Sequence, residues 1–223
     1  MKTAVILGAG GLGCPAALAL RDEARAHGVE LRLVIVDDDR IDRSNLSRQI
    51  LYTGSDLGLF KSEVAARKLG AVARVARFDR STAAALLEGA DILLDGTDSF
   101  ETRFCANDEA VGRGLPLVHG AALGWIGQLL TILPGRTGCL RCLFEGPPPE
   151  GSVPACAEAG VLSPLCGLVG AAMGRAAMQV LLGAPGIGVE AGVLLQWDAL
   201  RGTERPISVK RDPACAACAR VAS

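Results

Sequence analysis

The chain has 223 residues, of which 50% are hydrophobic, 21% charged and 4% aromatic, with a formal net charge of -1. That is enough apolar material for one large domain or two small ones with a sizeable core. A near-neutral chain lacks the basic surface that gathers nucleic acid or anionic membrane, and so few aromatics offer no stacking platform for single strands. Neither a nucleic-acid nor a membrane partner is expected.

The first residues, "MKTAVILGAGGLGCPAALAL", have the basic start, apolar run and small residues of a signal peptide. Their close glycines argue against it, since each costs about 1 kcal/mol in the helix that a signal sequence needs. The favoured reading is a strand over 3–7, a loop from Gly8 to Gly13 and a helix over 14–27, with Pro15 tolerated in its first turn. "LRLVIVD" reads as a second strand, "SEVAARKLGAVAR" has helical spacing and "ARVARFD" is a weaker strand. "STAAALLEG" is a short helix with Ser81 as its cap. "DILLDGTD" is a continuous apolar strand, as in a sheet covered on both faces. "FETRFCANDEAVGRG" is a helix and "LPLVHGAAL" a further strand. The alternation implies an α/β fold with a Rossmann-like, doubly wound, mostly parallel sheet.

Beyond residue 120 the pattern changes. "GQLLTILPG" reads as a strand entering a turn, and 146–160 as a long, mobile, proline-rich connection. A helix over 164–182 ends at Gly183, with Gly167, Gly170, Ala171 and Gly174 as a small-residue packing face. Its run "PLCGLVGAAMG" stops at Arg175, short of the roughly 20 residues of a bilayer span. A soluble, cytoplasmic protein is therefore expected. "GVLLQWDAL" and "RPISVKR" read as late antiparallel strands, all within a single domain over 1–223.

"GAGGLG" sets Gly8, Gly10 and Gly13 in the G-x-G-x-x-G pattern, with Gly11 inside it, after a strand and before a helix. Such glycines permit a tight turn and let backbone amides approach a phosphate at the positive helix end. Asp37 closes the second strand, where a carboxylate accepts hydrogen bonds from ribose hydroxyls. NAD and ATP fit these features equally. The residues that follow favour ATP. Arg48 offers a fork of donors, Lys61 a point charge and Asn45 an amide, a set suited to a triphosphate. Asp95 or Asp98, at the carboxyl end of "DILLDGTD", is a candidate holder of Mg2+ beside the phosphates.

"GAGGLG", "VDDDRIDRSNLSRQIL", "FKSEVAARKL", "LLDGTDSFETR", "GAALGWIGQL", "CLRCLF" and "CAEAGVLSPLCG" together resemble the MoeB/ThiF/HesA adenylyltransferases, bacterial relatives of ubiquitin-activating enzymes. The resemblance runs from Thr3 to Cys218 and is most specific in "SNLSRQ". It implies that ATP adenylates the C-terminal glycine of a ubiquitin-like, Gly-Gly-ended sulfur carrier of the MoaD or ThiS kind. It implies Asp37 on the ribose, Asn45, Arg48 and Lys61 on the phosphates and Asp98 at Mg2+, in a homodimer. Residues 1–120 would be the nucleotide-binding half and 121–223 the carrier-binding and zinc half. Dimeric members use an arginine from ahead of the first strand in the neighbouring subunit's site. Here Arg43 or Arg103 is expected to substitute, or activity to be impaired. The alternatives are an NAD-dependent oxidoreductase and a family scaffold that has lost catalysis.

Cys139 and Cys142 in "CLRC", with Cys215 and Cys218 in "CAAC", supply four thiolates in paired spacing, the donor set of a structural Zn2+ site. Cys156 lies in the proline-rich connection. In some thiamine-pathway relatives a cysteine at the matching place bonds covalently to the activated carrier, which makes Cys156 a candidate catalytic residue. Cys14, Cys105 and Cys166 read as buried small hydrophobes, His119 as a satisfied core histidine and His27 as a surface residue.

Overall fold

The computed structural model describes residues 1–149, 160–184 and 190–220. Eight strands form one sheet in the order β3-β2-β1-β4-β5-β6-β7-β8. β1 (Lys2–Leu7), β2 (Leu31–Val36), β3 (Val72–Arg74), β4 (Ile92–Asp95) and β5 (Leu117–Leu123) are parallel. β6 (Ile126–Ile132), β7 (Val193–Asp198) and β8 (Thr203–Ser208) continue the sheet antiparallel, as expected for the last two.

The parallel strands are near-continuous apolar runs because both of their faces are covered. Ile92 and Leu94 pack with one cluster and Leu93 with the other, all three fully buried. One layer is built from α1 (Gly13–Ala26), α2 (Lys61–Leu69) and α6 (Ser163–Leu182), the other from α3 (Ala83–Leu86) and α4 (Phe100–Gly112). A one-turn α5 (Leu140–Leu143) follows β6. The outer strand β8 limits its own edge with exposed Glu204, Arg205 and Pro206.

Several boundaries differ from the sequence reading. α2 stops at Leu69 because Gly70 takes φ +69°, so the helical pattern does not run to residue 74 and β3 begins at Val72 instead. α3 starts after Thr82 with no side-chain cap, so Ser81 does not cap it; Asp79 instead holds the turn before it, its Oδ1 accepting from the backbone N–H of Ser81 and Thr82 (2.8 and 3.1 Å) and from the Ser81 hydroxyl. Ser81 has a hydroxyl proton to give, and the ionised carboxylate is the stronger acceptor.

α6 also continues past Arg175 to a total of 20 residues, enough by length and composition for a bilayer span. It is a core helix, with half of it buried. Its Gly170 and Gly174 press on α1, where an added Cβ would meet Leu12 O at 2.5 Å and Ala16 O at 2.6 Å. Gly167 faces open space and is not part of that contact. Arg175 turns outward to Glu23 at 3.7 Å.

Candidate active site

In this strand order the chain leaves β1 for β2 and β3 on one side and returns to β4 on the other. The crevice between the ends of β1 and β4 is the topological switch point, where open α/β sheets bind ligands. A cavity of about 580 Å³ lies there. The glycine loop, Asp37, Asn45, Arg48, Lys61 and Asp98 all line it, or frame it in the case of Gly13.

The glycines have different reasons to be glycine. Gly8 takes φ +82° against the backbone of Gly96, a conformation that L side chains rarely adopt. Gly13 opens α1, and a Cβ there would fall 1.7 Å from the Gly8 carbonyl oxygen. At Gly10 the nearest atom to an added Cβ is 3.8 Å away. Gly10 and Gly11 form the cavity wall, where the lack of a side chain leaves the backbone N–H groups open to the cavity.

Asp37 braces this loop. Its Oδ2 accepts from Ala9 N–H at 2.7 Å and its Oδ1 from Asp39 N–H at 2.8 Å. Burial pushes its carboxyl above the ordinary range, while the Lys61 ammonium and the two N–H donors oppose the rise. Each oxygen keeps a lone pair for a further donor, as a ribose contact requires. Ser62 Oγ donates to the Asp37 carbonyl at 2.6 Å and fixes α2 to the same corner.

The cationic groups are unequal. Arg48 Nη2 donates to Asn45 Oδ1 at 2.7 Å, and no carboxylate pairs with Arg48 among the described residues. Lys61 is buried, and its Nζ lies 2.7 Å from Asp39 Oδ2. Its charge is thus shared with an acidic turn, and sequence reading missed Asp39 as its partner. Arg103 donates from Nε to Thr97 O at 2.9 Å, lies 5.3 Å from the Phe100 ring and faces the cavity; Arg43 does not line it.

The two candidate metal carboxylates separate cleanly. Asp98 is exposed at the cavity and has no hydrogen-bond or ion-pair partner among the described residues, so it is free to hold Mg2+. Asp95 is fully buried and committed to His119 Nδ1 (2.8 Å) and to Thr97 N–H and Oγ1 (3.1 and 2.7 Å). The sequence alternative of Asp95 at magnesium is therefore set aside, and the expectation of a satisfied core histidine at position 119 holds.

Two further residues carry little sequence signal. The buried Tyr52 hydroxyl lies 2.7 Å from Ala9 O and 3.1 Å from Lys61 O, tying the glycine loop to the start of α2. Gln49 is 3% exposed, lines the cavity and leaves its Oε1 without a partner among the described residues. The "SNLSRQ" motif pointed at its segment but gave no role to that amide.

The four cysteines converge. Cys139–Cys142, Cys139–Cys215 and Cys142–Cys218 sulfurs are 3.8, 3.7 and 3.6 Å apart, and all four lie within 4.8 Å of one another. A tetrahedron with Zn–S bonds of about 2.3 Å has corners about 3.8 Å apart, so the donor set fits Zn2+. Burial and the neighbouring Cys142 and Cys215 push the Cys139 thiol up to about 11, and a dication would reverse this by binding the thiolate. Asn107 of α4 supports the knuckle, with its Nδ2 3.8 Å from Cys139 Sγ and its Oδ1 accepting from Leu140 N–H at 2.9 Å. Arg141 forks onto Asp108 at 2.6 and 2.9 Å. Cys156 lies outside the described residues. Cys14 and Cys166 are buried as expected, whereas Cys105 is half-buried; burial pushes the Cys14 thiol up to about 12.

The model of the ThiF family matches residues 2–217. A sulfur carrier protein adenylyltransferase of Thermus thermophilus is 43% identical over 96% of this chain and 81% of its own length. A SAMP-activating enzyme E1 of Haloferax volcanii is 41% identical over 96% of this chain and 79% of its own. The adenylyltransferase and sulfurtransferase MOCS3 of Caenorhabditis briggsae is 41% identical, and this chain spans 55% of its length. Among solved structures, E. coli MccB with MccA-N7isoASN superposes with a TM-score of 0.82 at 20% identity, over 97% of this chain and 66% of that one. At that identity the likeness concerns the fold alone.

Proposed function

The chain belongs to the ThiF family, and from that premise we propose that it uses ATP to adenylate the C-terminal glycine of a ubiquitin-like sulfur-carrier protein. The observation that carries this reading is Arg48, a guanidinium with no carboxylate partner among the described residues, held by Asn45 at the wall of the switch-point cavity. Such a group suits several anionic oxygens at once.

In the proposed reaction a carboxylate oxygen of the carrier's terminal glycine attacks the α-phosphorus of ATP. The bond from that phosphorus to the bridging oxygen breaks, and pyrophosphate leaves with the electron pair. The carboxylate is already a nucleophile, so no general base is required. The barrier lies in bringing anions together, which charge stabilisation and positioning lower. Gly10 and Gly11 admit the phosphates, Asp37 orients the ribose, and Arg48, Asn45 and Lys61 hold the phosphate oxygens. Mg2+ at Asp98 would supply further neutralisation beside the phosphates. Of Arg43 and Arg103, Arg103 faces the cavity and would add a further cation beside the phosphates.

The sulfur-carrier substrate accords with the names of the Thermus and Haloferax relatives. Residues 1–120 would serve the nucleotide and 121–223 the carrier, with Zn2+ on the four cysteines holding the C-terminal segment to α5 and α4. A cytoplasmic homodimer completes the proposal, and Cys156 would take the activated carrier if a covalent intermediate forms. ATP–pyrophosphate exchange tests the reaction. It should appear only with a Gly-Gly-ended carrier; NAD binding without exchange would overturn it, and a fold that binds neither would point to a scaffold.

A further inference from the structure

The buried Asp95–His119 pair is not used by that chemistry, yet it sits directly beneath the loop that carries it. Asp95 ends β4 and lies in register with Leu7 of β1 and His119 of β5. Its carboxylate is fully buried, and three donors meet it: His119 Nδ1 on one oxygen, Thr97 N–H and Oγ1 on the other. Burial raises the carboxyl, but His119, Arg103 and Thr97 together more than offset this and hold it below the usual carboxylate range. The ionised carboxylate in turn requires a proton on His119 Nδ1.

The chain of contacts continues outward. Thr97 O accepts from Arg103 Nε at 2.9 Å, and Asp98 is the next residue along. Gly96 N–H donates to Leu7 O at 3.0 Å, and the loop backbone lies against the glycine turn at Gly8. In the loop over 96–98 the Gly96 N–H is held by the end of β1, the Thr97 N–H by Asp95 and the Thr97 carbonyl by Arg103 of α4. The Asp98 side chain has no partner of its own among the described residues, and the Arg103 guanidinium, carried on α4, is tied to the loop through Thr97 O.

We propose that His119 is a positioning residue of the adenylation site: by donating to Asp95 it locks Thr97, and through Thr97 it sets Asp98 and Arg103 against the Mg2+-bound triphosphate. The role rests on the proposed reaction. Partners that orient metal-binding groups characteristically change metal affinity or activity by about 10- to 100-fold when lost.

The test uses the zinc-loaded full chain. Binding of Mg2+–ATP is measured by calorimetry, and KM and kcat for Mg2+–ATP by pyrophosphate exchange with a Gly-Gly-ended carrier. His119→Ala should raise KM and the Mg2+ requirement by about tenfold or more with a smaller change in kcat. His119→Asn should recover most of this, because an amide nitrogen one bond beyond Cγ occupies the place of Nδ1. Thr97→Val, which removes one donor and keeps the shape, serves if His119→Ala does not fold, and should act in the same direction. In an Asp98→Ala background the His119 effect on Mg2+ dependence should vanish. A wild-type chain that binds no ATP would overturn the reaction itself. A wild-type chain that binds ATP, with His119 and Thr97 variants that keep its Mg2+ dependence or add to Asp98→Ala independently, would overturn the role of His119 alone.

Discussion

Arg48 donates to the Asn45 side-chain oxygen at 2.7 Å across one turn of the segment after β2. The contact orients a guanidinium without neutralising it. Lys61, by contrast, meets the Asp39 carboxylate at 2.7 Å and is partly neutralised in the ligand-free protein. The two cations most readily paired in the sequence thus begin from different electrostatic states.

Arg48→Ala should cost roughly 2–4 kcal/mol of transition-state stabilisation, read as the loss of carrier-dependent pyrophosphate exchange. Arg48→Lys should recover little, because a point charge cannot replace a fork held by Asn45. Lys61→Ala should cost a similar amount in exchange, and should also lower thermal stability, since it leaves Asp39 and Asp37 without their cation. Exchange at the wild-type rate in Arg48→Ala would remove that residue from the site.

The glycine loop separates folding from binding. Gly13→Ala would place a methyl 1.7 Å from the Gly8 carbonyl oxygen, so a loss upwards of about 3 kcal/mol is expected in urea unfolding. Gly10→Ala has no such neighbour and should stay within about 1 kcal/mol of wild type while weakening ATP binding at the cavity wall.

Asp37 should titrate above the free aspartate value of 3.8 because burial raises it and Lys61 only opposes the rise. A raised acid adds stability only below its unfolded value, and that contribution is lost as pH rises through the folded one. Above that value Asp37 is ionised and ready to accept from ribose. In Lys61→Ala the chief opposing charge is gone, so the Asp37 midpoint should move further up. Carboxyl-carbon NMR titration of wild type and variant would read it, and a downward move would contradict the assigned cause.

Zinc should be present at one ion per chain by elemental analysis. Chelation, or Cys215→Ser, should lower the melting temperature and expose the C-terminal segment to proteolysis. The loss should exceed about 3 kcal/mol, given the large binding energies of such sites. Unchanged stability after complete metal removal would mean that the four thiols need no ion to stay together.

The sequence by itself determined the order of strands and helices, the position of the glycine turn and the four zinc-type cysteines. Each rests on a local rule: apolar periodicity, a φ only glycine tolerates, or the paired spacing of soft donors. It could not decide between Asp95 and Asp98, three residues apart and chemically identical, nor between Arg43 and Arg103, nor tell that Lys61 already has a partner in Asp39. Only the tertiary structure decided which of these groups line the cavity and which are already paired, because that depends on which elements become neighbours. β4 comes to lie between β1 and β5, which buries Asp95 against His119 and leaves Asp98 in the crevice. Burial and pairing set the charge a carboxylate can offer, and both are properties of packing that no local pattern records.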